Sequence, residues 1–274
     1  MTQVRIRLDR ELVRRGLFGS REDAQLAIAQ GRITVGGASA QKPTRLVSAS
    51  EAIELLGDPP RFVSRGGEKL AHGLEQFSLH PKGRACIDLG ASTGGFTDCL
   101  LQAGAQLVWS IDVGYGQIHP KIRDDDRVRV LERTNVRAMD EEVLSSIKAE
   151  LGESPFLVAD LSFISLKKVA SVVRELLASQ GTGILLVKPQ FEVGRQIASQ
   201  GKGVVRDPAA WLETLLEVGQ SFEALGLGMQ GVARSPLRGP AGNVEFLIHL
   251  EASRPSLGWQ DEAMQLTTLG ESDG

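Results

Sequence analysis

The chain predicts an α/β fold: a doubly wound, largely parallel sheet preceded by a small α+β module. Three observations carry this. From residue 64 onward, short apolar runs alternate with helical patterns. The first run, 85–88, leads through a glycine-rich turn, Asp88-Leu89-Gly90-Ala91-Ser92-Thr93-Gly94-Gly95-Phe96-Thr97-Asp98, into a further apolar stretch. Asp58-Pro59-Pro60 interrupts any helix and separates the two parts.

In chain order, Leu8, Leu12 and Val13 predict a helix over 7–15, broken between Gly16 and Gly19. Ser20, with Asp23 three positions on, is a helix N-cap; the helix that follows includes 24–29 and stops at Gly31. Strands are predicted at 33–35 and 53–56, with Gly36-Gly37 turning after the first. A linker occupies 57–63. A helix at 69–77 then precedes strands at 85–88, 107–112, 128–131, 156–160 and 183–188. Helices at 166–179 and 208–225 lie among and after them. An antiparallel pair, 231–234 and 245–251, flanks the turn Gly239-Pro240-Ala241-Gly242. Domains are expected at 1–60 and 61–252, with a mobile tail at 253–274 that is polar apart from a lone Trp259.

With 42% hydrophobic residues in 274, the chain can bury a substantial core. Its two cysteines, Cys86 and Cys99, fall in or beside predicted buried elements, as core thiols of a reducing compartment do. No apolar stretch nears the roughly 20 residues of a membrane span, and no signal-peptide core opens the chain. A cytoplasmic protein without membrane partners is expected. Residues 1–70 carry 12 Lys and Arg against 8 Asp and Glu, while the remainder is acidic. A basic module on an acidic domain suits a polyanionic partner.

The glycine turn departs from the dinucleotide fingerprint. Ser92 stands where a pyrophosphate-binding loop needs its middle glycine, and Asp88 places a carboxylate ahead of the turn. A carboxylate repels pyrophosphate and suits a phosphate-free, positively charged cofactor, which describes S-adenosyl-L-methionine. Asp112, ending the next strand, has the spacing of an acid that grips ribose hydroxyls. Gly90, Ser92, Gly94, Gly95 and Phe96 complete the candidate cofactor turn. Asp160 and Lys188 each close an apolar run and so emerge on the same carboxyl edge of the sheet. Lys69 and Glu245 cannot be placed there by periodicity. No His, Cys and Asp cluster has metal-ligand spacing, so no metal is expected.

Two resemblances add to this. Arg7-Leu8-Asp9, Leu12, Ser20-Arg21, Ala24, Ile28, Gly31, Ile33, Val35, Gly37 and Lys42-Pro43 resemble the small RNA-binding domain of ribosomal protein S-four type. The resemblance implies phosphate contacts from Arg5, Arg7, Arg10, Arg14, Arg21 and Lys42. Arg65 and Lys69, just past the linker, lie where RNA held by both domains would pass. The glycine turn, with Lys69, Asp160, Lys188 and Glu245, looks like RNA ribose 2′-O-methyltransferases of the FtsJ type. Further runs (63–70, 134–137, 160–166, 188–192, 202–207 and 235–246) make the whole chain resemble the TlyA family. That family implies methylation of a ribose 2′-hydroxyl, of cytidine, in ribosomal RNA or ribosomal subunits.

The resemblance makes Lys188 the amine nearest the hydroxyl and Lys69 a second cation beside it, with Asp160 and Glu245 orienting them. Asn135 is open between an adenosine contact and a turn residue, and Phe163 between stacking and core packing. The loop 194–206, with Arg195, Lys202 and Arg206, either closes over RNA or is a solvated connection. In the linker, Pro60-Arg61-Phe62 stands where the family tends to carry a basic residue and a tryptophan. An inactive RNA-binding assembly factor and, from the family's hemolysin name, a membrane-lytic protein are the competing readings. No amphipathic membrane-inserting helix supports the latter.

Overall fold

The computed structural model describes residues 5–194 and 203–268. The N-terminal module runs β1 (Arg5–Arg7), α1 (Leu8–Arg14), α2 (Arg21–Ala29), β2 (Ile33–Val35), β3 (Ala38–Ser39), β4 (Leu46–Ser48) and β5 (Ile53–Leu55). Strand β1 pairs with β4, and β2 lies between β3 and β5, all antiparallel. Ser20 caps α2 as its spacing predicts, accepting the Asp23 N–H at 3.1 Å. Leu8, Leu12, Phe18, Ile28, Ile33 and Val47 form the module's own core.

The larger part runs α3 (Gly66–Gln76), β6 (Ala85–Leu89), α4 (Gly95–Gln102), β7 (Leu107–Ile111), α5 (Pro120–Arg123), β8 (Val128–Leu131), α6 (Glu141–Leu151), β9 (Phe156–Ala159), α7 (Ala170–Leu177) and β10 (Thr182–Val187). It continues through α8 (Pro189–Glu192), α9 (Pro208–Glu223), β11 (Gly228–Arg234), β12 (Phe246–Glu251) and α10 (Trp259–Thr268). Seven strands form one sheet in the order β11-β12-β10-β9-β6-β7-β8. The block from β10 to β8 is parallel, while β12 is antiparallel to both its neighbours. The central parallel strands β9 and β10 are buried on both faces, which is why they read as continuous apolar runs. One apolar cluster packs α6, α7 and α9 on one face; another packs α3 and α4 on the other.

Two features set the site. Strands β6 and β9 are sheet neighbours far apart in sequence, so the switch point of the sheet opens between them. Val187 pairs with Phe246, which brings Lys188 and Glu245 side by side just beyond the last ladder position. The helix predicted over 166–179 is divided: a 3-10 turn, Leu166–Lys168, precedes α7.

The stretch expected to be a mobile tail is instead helical over 259–268. Trp259, Ala263 and Thr267 recur at helical spacing on its buried face. The Trp259 indole N–H donates to Glu223 at 2.9 Å, and Glu262 accepts the Val232 N–H at 3.0 Å beside a register shift in β11. The helix therefore covers a sheet edge that would otherwise be bare. Among the described residues, no helix is long and apolar enough to cross a membrane. Arg195 and Lys202 lie outside the described residues.

Candidate active site

The carboxyl edge of the sheet borders a cleft of about 580 Å³. Its floor is the turn after β6. Gly90 sits at φ +88, a conformation that side chains rarely adopt, and a Cβ there would lie 2.7 Å from the Asp160 carbonyl oxygen. Both requirements make glycine necessary. Ser92 also has a positive φ, +48, and its N–H donates to Asp112 Oδ2 at 2.8 Å. Gly90, Ser92, Gly95 and Phe96 line the cleft.

Two lysine–carboxylate pairs stand in the same cleft. Lys188, following β10, places Nζ 2.6 Å from Asp160 Oδ1, following β9. It also donates to Ser162 Oγ at 2.8 Å. Lys69, on α3, donates to Glu245 Oε2 at 2.5 Å. Both lysines are 8% exposed and Glu245 is 1% exposed, so each charge needs the partner it has. The structure thus brings together all four residues, including the two that periodicity left unplaced. Each lysine has a carboxylate, and not the other lysine, as its contact partner.

Four candidate cofactor residues do not line the cleft. Asp88 is fully buried beneath the turn, where it accepts the Thr97 hydroxyl at 2.7 Å. Burial pushes its carboxyl up to about 7, against the Thr97 hydrogen bond, with the Asp160 charge adding to the rise. A carboxyl in that setting shapes the strand-to-helix turn and is not exposed to a ligand. Gly94 starts α4 and faces Ile122. Asn135 accepts the Arg137 N–H at 3.0 Å and caps a 3-10 turn, the structural alternative left open for it. Asp112 follows β7 directly, its two oxygens accepting from the Ser92 and Gly114 N–H groups at 2.8 and 2.6 Å. A carboxylate has about four lone-pair sites, so acceptor capacity remains for ribose hydroxyls.

Phe163 is not core. It is 91% exposed at φ +62 on the cleft wall, its ring 5.1 Å from that of Phe191. Aromatic residues seldom occupy that backbone region, and strained residues of this kind cluster at ligand sites. Ser162, Gln190 and Asn243 also line the cleft and were not singled out from sequence. The signal was present, since all three fall inside runs on which the family resemblance rests. Asn243 accepts the Val205 N–H and donates to the Gly203 carbonyl, both at 2.9 Å, which ties the end of the 194–206 loop to the segment that carries Glu245 into β12.

The basic residues of the small module divide into two kinds. Buried Asp9 accepts from Arg7 and Arg21, and buried Glu11 from Arg14 and Arg15. The Arg7 guanidinium holds Asp9 well below the usual carboxylate range, and Arg14 holds Glu11 down at about 2. Arg5 pairs with Glu51. Arg10 and Lys42 have no acidic partner among the described residues. None of these predicted phosphate contacts borders the cleft. Arg65 does, but its Nε donates to Asp23 of α2 at 2.8 Å, so it bridges the two modules. Ser20, Glu22 and Asp23 form the far wall, bringing the small module to the mouth of the site.

Comparison with known proteins agrees with this geometry. The FtsJ-like methyltransferase family matches residues 62–252, and the S4 domain family matches 6–53. The 16S/23S rRNA (cytidine-2′-O)-methyltransferase TlyA of Mycobacterium tuberculosis is 44% identical over 247 residues, covering 90% of each chain. The chain belongs to the TlyA family. Hemolysin A of Brachyspira hyodysenteriae is 36% identical over 247 residues, covering 89% of this chain and 99% of the relative. A solved structure from Streptococcus thermophilus with a hemolysin designation is 35% identical with a TM-score of 0.76, covering 98% of this chain and 96% of that one. The predicted two-part fold and methyltransferase activity are those of the TlyA family.

Proposed function

We propose that this protein transfers a methyl group from S-adenosyl-L-methionine to the 2′-hydroxyl of a cytidine in ribosomal RNA. The observation that carries the reading is the single cleft in which the glycine turn, the Lys188–Asp160 pair and the Lys69–Glu245 pair meet, with the RNA-binding module at its mouth. The residues present fit the cofactor. A tight turn opened by Gly90 lies at the switch point, and Asp112 retains acceptor capacity beside it. Gly90, Ser92, Gly95, Phe96 and Asp112 would hold the cofactor, which supplies an electrophilic methyl group on a sulfonium.

The chain's own residues do the rest. Lys188, in its neutral amine form, takes the 2′-hydroxyl proton as the oxygen attacks. Lys69, steadied by Glu245, sits in the same cleft to offset the charge that develops on that oxygen. The 2′-hydroxyl proton ends on Lys188 Nζ, while the methyl group would come from the bound cofactor. The geometry asks for alignment of donor and acceptor more than for covalent help, so fixing the two lysines and the RNA is the main contribution. Phe163, exposed and paired with Phe191, offers a stacking face to the target base.

The decisive experiment is transfer of labelled methyl from the cofactor to purified ribosomal subunits and naked rRNA, with the labelled nucleotide mapped. Label on a ribose 2′-oxygen is expected. Lys188→Ala should lower kcat by roughly 100-fold or more, the usual contribution of a general base, with folding intact. Full activity in that variant would remove Lys188 from the role.

A further inference from the structure

We propose that Ser162 is a positioning residue that aims the Lys188 amine at the reacting hydroxyl; this rests on the cleft being a ribose methyl-transfer site. Nζ of Lys188 has three tetrahedral directions beyond its bond to Cε. Ser162 Oγ accepts along one of them at 2.8 Å, whereas Asp160 Oδ1, 2.6 Å from Nζ, forms an ion pair outside hydrogen-bond geometry. In the neutral amine, two N–H groups and one lone pair must share these directions. Ser162 fixes one hydrogen and the Asp160 charge draws the other, so the lone pair turns away from both. With the Asp160 ion pair alone, no hydrogen bond would fix rotation about the Cε–Nζ bond, and part of the population would be misdirected.

Ser162 is itself well anchored. At one end of its loop, the Asp160 N–H donates to the Leu89 carbonyl at 3.0 Å. At the other, Ser165 and the Leu166 N–H donate to Glu192 at 2.5 and 2.7 Å. Glu192 lies one turn beyond Lys188 on α8, so the loop bearing Ser162 and the lysine are referenced to one short helix. Ser162 lines the cleft and is exposed there, contributing nothing to either apolar cluster. Its hydroxyl serves the amine and not the core. The other charged pair bordering this part of the cleft, Lys69 and Glu245, is engaged with itself.

The test uses the full-length protein, unmethylated ribosomal subunits and S-adenosylmethionine, comparing wild type, Ser162→Ala and Ser162→Thr across pH. Ser162→Ala should lower kcat about 10-fold, the equivalent of one lost hydrogen bond of about 1.4 kcal/mol, with both KM values within about twofold of wild type. The serine oxygen accepts from the ammonium, so its loss favours the neutral amine. The rising limb of the kcat profile should therefore move to lower pH even as its plateau falls. Ser162→Thr, which keeps the hydroxyl, should restore most of the rate. Wild-type kcat and an unmoved limb in Ser162→Ala would overturn the proposal alone, as would a Ser162→Thr variant no better than alanine. Failure of wild-type protein to methylate any ribose, despite cofactor binding, would overturn the reading of the site and this proposal with it.

Discussion

At the residue scale, Asp88 shows how a motif can be located correctly and its chemistry misassigned. An acid before a glycine turn suggested a ligand contact, but the carboxyl is sealed beneath the turn and pushed up to about 7 by burial. Between the unfolded value of 3.8 and about 7, the native state binds the extra proton, so stability falls as pH rises through that window. The fall is on the order of 4 kcal/mol at 1.36 kcal/mol per unit. Asp88→Asn removes this dependence while leaving an acceptor for Thr97. Urea unfolding at pH 5 and pH 8 should show the variant gaining on wild type at the higher pH; an equal difference at both would contradict it. Sequence could not reveal this, because an acid at a strand end has the same pattern whether it faces ligand or core. Lys69 is the converse case. Its role depends on how α3 lies across the sheet toward Glu245, 176 residues away, and no local periodicity carries that information.

At the element scale, the parallel strands were legible because burial on both faces leaves an apolar run, and α2 because its cap is local chemistry. The C-terminal helix was not, since its buried face consists of one tryptophan and small residues. Trp259 is nevertheless 1% exposed, hydrogen-bonded to Glu223 and packed against α9. Trp259→Ala should cost about 3–5 kcal/mol in chemical unfolding and expose the β11 edge to exchange. A loss below about 1 kcal/mol would mean that the helix adds little to the domain. In the small module, the pairing pattern ranks the proposed RNA contacts. Arg7, Arg14 and Arg21 are tethered to buried acids, whereas Arg10 and Lys42 have no acidic partner among the described residues. Removing either free cation should reduce the slope of log affinity against log salt by about 1 in rRNA binding, leaving methylation chemistry unchanged at saturating RNA. An unchanged slope would place the RNA on another face.

At the scale of the whole molecule, the question is how the RNA-binding module is seated on the catalytic one. The sequence located the break at the two prolines, but not how tightly the chain beyond it is clamped. Gly19, in the turn before α2, approaches Val63 so closely that a Cβ would lie 2.0 Å from the Val63 carbonyl oxygen. The next residue, Ser64, lies against Gly95, where a Cβ would meet its Oγ at 2.2 Å. The Val63 N–H donates to buried Asp98 on α4 at 2.9 Å, and Arg65 reaches back to Asp23. Residues 63–65 are thus wedged between the small module and the cofactor turn, and two glycines provide the space. Gly19→Ala puts a methyl group where a backbone carbonyl already sits, and backbone cannot step aside as the end of a flexible side chain can. The modules must separate or the 63–65 segment must shift toward Gly95. Both changes weaken the Arg65–Asp23 bridge across the cleft mouth, while the core of each module is untouched. The expected result is a folded protein with near-wild-type melting, raised hydrogen exchange at 62–67, and a kcat/KM for ribosomal RNA lowered by about 10-fold or more, because a small misplacement of a substrate-positioning part is costly. Cofactor affinity separates the two routes: unchanged if the modules part, weakened if the segment presses on the turn. A variant with wild-type exchange and wild-type kcat/KM would show that the seating of the small module does not govern catalysis.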